Sequence, residues 1–385
     1  MMVTPERRAI WPSLLVLPDD ENVQAQLSRL SGDDWTWLVR QAEAHQLTAM
    51  LYWRVQQNSL ATAVPGAVYE YLRRYYRAAA KTSLHRQAEL FRVLRALTAV
   101  GLRPILFKGA ALAHAVYPTP VCRPMNDVDI WLQPDEMAQA WRIFEELGYE
   151  QKSKQERPLS LQRLHDGEIQ FFGAQPGQGL IELHWGVFPG AWLKQASRVE
   201  GTAVYRRIIP LPFMELPIYT LAPEDDIIQI ASHIAINHQL SINALRSLLD
   251  FALLAARPAL DWSLVLQRVT AWQLTTVFGL VSQLVADLFS PELVRPATDA
   301  LPLSPLRRRA LFHFVNDNHI LQGRLLALSP RRLFYLLALV DQPASGLKLF
   351  THSLWPDAVW LSARYGDGRA ATRLGHVRAF LRGEV

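Results

Sequence analysis

The sequence predicts an α+β fold in which one strand-and-helix unit lies between two helical regions. Three observations predict it. Helical periodicity fills residues 1–100, short apolar runs bounded by glycine or proline alternate with short helices over 101–220, and helical periodicity returns over 221–385. A chain of 385 residues, half of them hydrophobic, also suits two or three packed units rather than one.

In the first region, "DDWTWLVRQAEAHQLTAMLYWRV" places Trp37, Leu38, Ala42, Leu47 and Leu51 at helical spacings behind an acidic start. "SLHRQAELFRVLRALTAVG" sets Leu84, Leu90, Phe91, Leu94 and Leu97 on one stripe and stops at Gly101, a natural terminator. The period then changes. "RPILF" reads as a short buried strand, "AALAHAVY" as a helix opened by Gly109, and "NDVDIWL" as an alternating strand. "PDEMAQAWRIFEELGY" is a proline-led helix, and "GEIQFFG" and "GLIELHWG" are further strands. The last region opens with "APEDDIIQIASHIAINHQL", whose proline and three acids suit a helix start. "ALRSLLDFALLAARP" follows, then more helices broken by prolines over 291–305.

One cysteine, Cys122, excludes an internal disulfide and points to a reducing, cytoplasmic compartment. No histidine pairs with it in sequence, which argues against a thiol nucleophile. No apolar run reaches the length of a membrane span, and the N-terminus lacks the features of a signal peptide. The net charge of +5 comes mostly from arginine, with clusters at Arg73, Arg74 and Arg77, at Arg307 to Arg309, and at Arg331 and Arg332. Such clusters attract polyanions or simply solvate helix faces. In "YLRRYYR" an amphipathic helix with Tyr75 turned inward is the preferred reading.

The acids carry the chemistry. On a strand, Asp127 and Asp129 share one face with Trp131, while Val128, Ile130 and Leu132 share the other. Two carboxylates so placed repel each other unless a divalent cation lies between them, and Mg²⁺ or Mn²⁺ suits oxygen ligands. In "LIELHWG", Glu182 and His184 share a face opposite Ile181 and Leu183. If the two strands lie near each other, Asp127, Asp129 and Glu182 form a metal site suited to phosphoryl transfer. Lys108 and Gly109 stand where a strand passes into a helix, a place where backbone N–H groups can approach a phosphate. Arg123 is either a phosphate clamp or the partner of Asp127 in an ion pair.

"LFKGAALAHAVY…RPMNDVDIWL" followed by "IELHW" resembles the uncharacterised nucleotidyltransferase family of the DNA polymerase β-like superfamily. The resemblance implies a small mixed β-sheet flanked by helices, and Mg²⁺-dependent transfer of a nucleoside monophosphate from an NTP to an acceptor hydroxyl or phosphate. It gives Asp127, Asp129 and Glu182 to the metal and to catalysis, and Lys108, Gly109 and Arg123 to the triphosphate. Gly109-Ala110 stands where the wider superfamily has Gly-Ser or Gly-Gly, so the hydroxyl contact to phosphate is absent. His184, His233, Arg246 and Asp250 are candidates for the acceptor side or for holding the ligands. His233 with Asn237, and Arg246 with Asp250, lie one helical turn apart. Structural roles for them, a buried Arg246–Asp250 pair included, compete with that reading. The expected acceptor is a small molecule, peptide or glycan. The alternatives are an RNA-directed, toxin-like enzyme and a non-catalytic nucleotide-binding protein.

Overall fold

The computed structural model describes residues 15, 20–57, 60–152, 167–175, 178–241, 243–315, 320–321, 330–366 and 372–382. Helices dominate at both ends of the chain, and a seven-stranded mixed sheet lies between them. The strands are β1 (Ile105–Leu106), β2 (Asp127–Trp131), β3 (Tyr149–Lys152), β4 (Glu168–Gly173), β5 (Leu180–His184), β6 (Ile209–Pro210) and β7 (Tyr219–Thr220). Their order across the sheet is β3-β4-β5-β2-β1-β7-β6.

The helices named below are α1 (Gly32–Ala44), α2 (Thr48–Val55), α3 (Gly66–Ala99), α4 (Lys108–Ala115), α5 (Met137–Glu146), α6 (Pro223–Ser232), α7 (Ala244–Ala255), α8 (Thr275–Leu288) and α9 (Pro330–Ala338). A left-handed Gln46, at φ 57°, divides the first predicted helical stretch into α1 and α2. α3 is the longest element. Its first turns pack in the core shared by the N- and C-terminal helices through Leu72, and its last turns pack on the sheet through Leu90, Val93, Leu94 and Leu97. Leu84, expected on that apolar stripe, is exposed instead because the middle of α3 crosses between the two cores.

Alternation decides which face of the sheet is buried. Val128, Ile130, Ile169, Phe171, Ile181 and Leu183 form one apolar layer, covered by Ala140, Ile143 and Phe144 of α5 and by the end of α3. Phe144 stacks on Phe171 with centroids 4.8 Å apart, and each fully buried ring contributes about 2–3 kcal/mol through removal from water. The opposite face carries the polar residues.

The three acids expected at the start of α6 stand in its first turn, and Glu224, Asp225 and Asp226 are also buried there. Asp225 accepts from Arg207 Nε and Nη2, both at 2.9 Å, and from Arg268 Nη1 at 3.0 Å, which compensates its removal from water. α6 runs on into a π-turn, His233–Asn237. That widened turn frees the carbonyl of Ala235, which accepts a hydrogen bond from Tyr335 Oη of α9 at 2.9 Å. Within "YLRRYYR", Tyr76 rather than Tyr75 turns into the core, with its ring 5.0 Å from that of Tyr52. No helix among the described residues is long and apolar enough to cross a membrane.

Candidate active site

The parallel pairing of β2 with β5 sets Asp129 directly beside Glu182, and Trp131 beside His184. The antiparallel pairing of β5 with β4 then adds Gln170 beside Glu182 and Glu168 beside His184. A period of two puts all of these side chains on the face away from the apolar layer. Glu182 therefore points toward the Asp127 face of β2, as the converging-carboxylate reading requires.

Asp129 is the hub. Lys108 Nζ donates to its Oδ1 at 2.7 Å, and His184 Nε2 lies 2.9 Å from the same oxygen. All three residues are buried. Burial alone would raise the Asp129 pKa, but the charge of Lys108 and the contact with His184 outweigh it and hold the carboxyl well below its usual range. Burial likewise pulls Lys108 down, and the attraction of Asp129, Glu182 and Glu168 overcomes it, so the ammonium stays charged. Lys108 holds a left-handed backbone, φ 53°, an arrangement that costs a non-glycine residue free energy. That conformation places its side chain over β2 while α4 starts at the same residue.

Around this hub, Glu182 Oε1 accepts from Gln170 Nε2 at 2.7 Å, and Glu182 Oε2 lies 3.8 Å from His184 Nε2. Nδ1 of His184 faces Glu168 Oε2 at 3.4 Å, and its ring meets Phe107 edge-on at 4.9 Å. Asp127 stands at the rim, with its residue surface open to solvent. Desolvation by the side chains crowded around its carboxyl, then repulsion by Asp129 and Glu182, pushes it up to about 6 against the pull of Lys108 and Arg123.

A second layer borders that rim. Arg123 is buried and grips Asp250 of α7 with two prongs, and Tyr117 Oη donates to the same carboxylate at 2.7 Å. Arg123 was read as a phosphate clamp or as the partner of Asp127. Its fork is occupied by Asp250, and its guanidinium lies so close over Gly109 that a Cβ there would sit 3.2 Å from Nη1. The alternative reading, a buried Arg246–Asp250 pair, gives way to this arrangement. Arg246 Nη1 donates to Gln46 Oε1 and lies 3.4 Å from the carbonyl of Pro124. Burial and the nearby Arg123 lower its pKa to about 10. His233 stands in the π-turn, with its ring 4.2 Å from that of His238. Cys122 is buried, which pushes its thiol up to about 12 and leaves it unsuited to nucleophilic chemistry.

The donors fit a divalent cation. One ligand atom each from Asp129, Glu182 and His184 lies within 4.8 Å of the others, and all three residues are buried. Two carboxylates select a hard ion, and the imidazole widens the choice from Mg²⁺ toward Mn²⁺. His184 thus stands inside the candidate metal cluster, while Asp127 flanks it. Sequence reasoning missed Gln170, Glu168 and Tyr117. The acid-x-amide alternation in "GEIQFFG" carried the first two, one strand away from "IELHW".

The model of a family described as an uncharacterised nucleotidyltransferase matches residues 31–290. No curated protein and no solved structure matches the chain.

Proposed function

The chain belongs to that nucleotidyltransferase family, and from this premise we propose that it moves a nucleoside monophosphate from an NTP to an acceptor hydroxyl or phosphate at the Asp127, Asp129 and Glu182 cleft. The acceptor oxygen attacks the α-phosphorus, the bond from that phosphorus to the bridging oxygen breaks, and pyrophosphate leaves. A proton released by the acceptor passes to a cleft carboxylate.

The observation that carries this reading is the side-by-side register of Asp129 and Glu182, with His184 Nε2 and Lys108 Nζ both on Asp129 Oδ1. Asp127, Asp129, Glu182 and His184 are the residues that would hold Mg²⁺ or Mn²⁺, which when bound draws charge from the phosphate oxygens. Lys108 keeps Asp129 ionised and aimed. Gln170 fixes one oxygen of Glu182. Gly109, at the N-terminus of α4, lets the Arg123 guanidinium lie close over the helix end, where a triphosphate oxygen would meet positive potential from both. Arg123 acts through position there, since Asp250 already fills its fork.

The test supplies the purified chain with NTPs labelled at the α-phosphate, Mn²⁺ or Mg²⁺, and acceptors bearing hydroxyl or phosphate groups. Label moves to the acceptor with the native chain and falls about 100- to 1000-fold with Asp129→Asn, the scale on which charge stabilisation acts in such sites. Equal transfer by both proteins overturns the reading.

A further inference from the structure

The middle of α3 is solvent-facing and cationic. From Tyr71 to Ala88 the sequence has no aspartate or glutamate. Arg74, Arg77, Lys81 and His85 are all exposed, and among the described residues they make no hydrogen bond or ion pair. The two acids that flank the segment are engaged, Glu70 by Arg73 at 2.6 Å and Glu89 by Arg86 at 3.0 Å.

Spacings of three and four residues put Arg74, Arg77, Lys81 and His85 on one face, opposite the buried Leu72 and Leu90. Arg92 and Arg95 continue the same row, the first beside Tyr149 and the second 5.6 Å over the Phe91 ring. At ~1.5 Å per residue the row is about 30 Å long. A solvated helix usually interleaves both signs, because pairs of opposite charge three or four apart support it. A one-sign row of this length matches a chain of phosphates rather than a single anion.

We propose that this face of α3 docks the phosphate backbone of RNA and that RNA is the acceptor served by the cleft. Docking stands on the helix itself, whereas the acceptor role rests on the nucleotidyl-transfer reading. α3 packs against the Pro120–Cys122 turn, which leads through Arg123 to Asp127, so the helix that carries the row is joined through one short segment to the strand that carries the acids. An RNA end presents adjacent 2′ and 3′ hydroxyls, the acceptor group that the transfer needs. Tyr75 is half-buried on the flank of the row, and unpaired RNA bases stack on such rings.

Anisotropy titrations of the full chain against a fluorescent folded RNA with an unpaired 3′ end test this over a range of salt. Affinity falls steeply with salt. The triple variant Arg74→Ala/Arg77→Ala/Lys81→Ala binds about 100-fold more weakly near 0.1 M salt, since each lost phosphate contact removes roughly 0.7 from the log–log slope. Its melting temperature stays native, because the three side chains are exposed. Asp129→Asn still binds, and Arg308→Ala/Arg309→Ala, in a separate basic cluster, binds as the native chain does. Unchanged binding by the triple variant, an equal loss per residue from the Arg308/Arg309 variant, or tighter binding to anionic vesicles or to DNA overturns the proposal. A triple variant that loses RNA binding while no RNA receives label from any NTP upholds docking and removes the acceptor role. Transfer to RNA by a triple variant that binds it normally removes docking and leaves the transfer reading standing.

Discussion

Arg123 and Asp250 meet across 127 positions of sequence in a two-pronged ion pair, Nε to Oδ1 and Nη2 to Oδ2, each at 2.8 Å. The pair joins the segment that leads into β2 to helix α7, so a buried ion pair helps to hold the acidic strand to the C-terminal helices. Two buried charges compensate each other only while both are present. Removing Asp250 leaves Arg123 beside Arg246, which already repels it.

Asp250→Ala therefore lowers the unfolding free energy by about 3–5 kcal/mol. Arg123→Met/Asp250→Leu, which removes both charges, recovers most of that loss. Urea denaturation of the native chain, both single variants and the double variant measures the coupling. A double variant no more stable than Asp250→Ala refutes the account.

Lys108 carries the second prediction. Its ammonium is the nearest positive charge to Asp129 and is itself buried. Lys108→Met leaves Asp129 and Glu182 facing each other without their buried ammonium, at a cost of about 3–5 kcal/mol. Mn²⁺ restores part of that stability, because a divalent ion can supply the missing charge. Thermal melts in chelator and in Mn²⁺ check this. Mn²⁺ raises the melting temperature of Lys108→Met more than that of the native chain, and equal shifts would contradict the assignment.

The acidic strand was legible in the sequence because period-two alternation fixes which residues share a face before any partner is known. "NDVDIWL" and "IELHW" thus gave the right faces for Asp129, Glu182 and His184. What alternation cannot give is the neighbour across the sheet. Gln170 and Glu168 sit beside Glu182 and His184 only because β4 pairs with β5 in one register. Long-range pairing hid the partner of Arg123 for a similar reason. Arg246 is the closer residue to Asp250 in sequence, yet the fold turns Asp250 toward Arg123 and Tyr117. Leu84 misled because stripe analysis assumes that a helix packs along its whole length, whereas α3 bridges two cores.

Asp226 predicts a pH dependence of stability. It is buried, and its Oδ1 has no hydrogen-bond partner among the described residues. Burial, then repulsion by Asp250, raises its pKa to about 8 despite the pull of Arg257. The folded chain thus keeps this proton up to about pH 8, while an unfolded aspartate releases it near pH ~4. Stability from the protonated form is fully present below the unfolded value and drains away as pH rises through the folded one. Asp226→Asn keeps the shape without the proton, so denaturation midpoints compared at pH ~5 and ~8 fall less with pH than those of the native chain. Parallel profiles would show that Asp226 is not the group responsible.

Gln170 offers the sharpest test of how the cleft is built. Its amide donates to Glu182 Oε1 at 2.7 Å, and both side chains are buried, so the carboxylate has one oxygen tied and one oxygen toward His184. A residue that orients a ligand changes metal affinity by about 10- to 100-fold when removed, without taking part in the chemistry. Gln170→Leu is therefore expected to raise the Mn²⁺ concentration for half-maximal label transfer by about that factor, with kcat restored at saturating Mn²⁺. Gln170→Glu adds a carboxylate against Glu182 and lowers stability in chelator, with Mn²⁺ reversing the loss. A drop in kcat that no Mn²⁺ concentration restores in Gln170→Leu would instead place the amide in contact with the reacting groups.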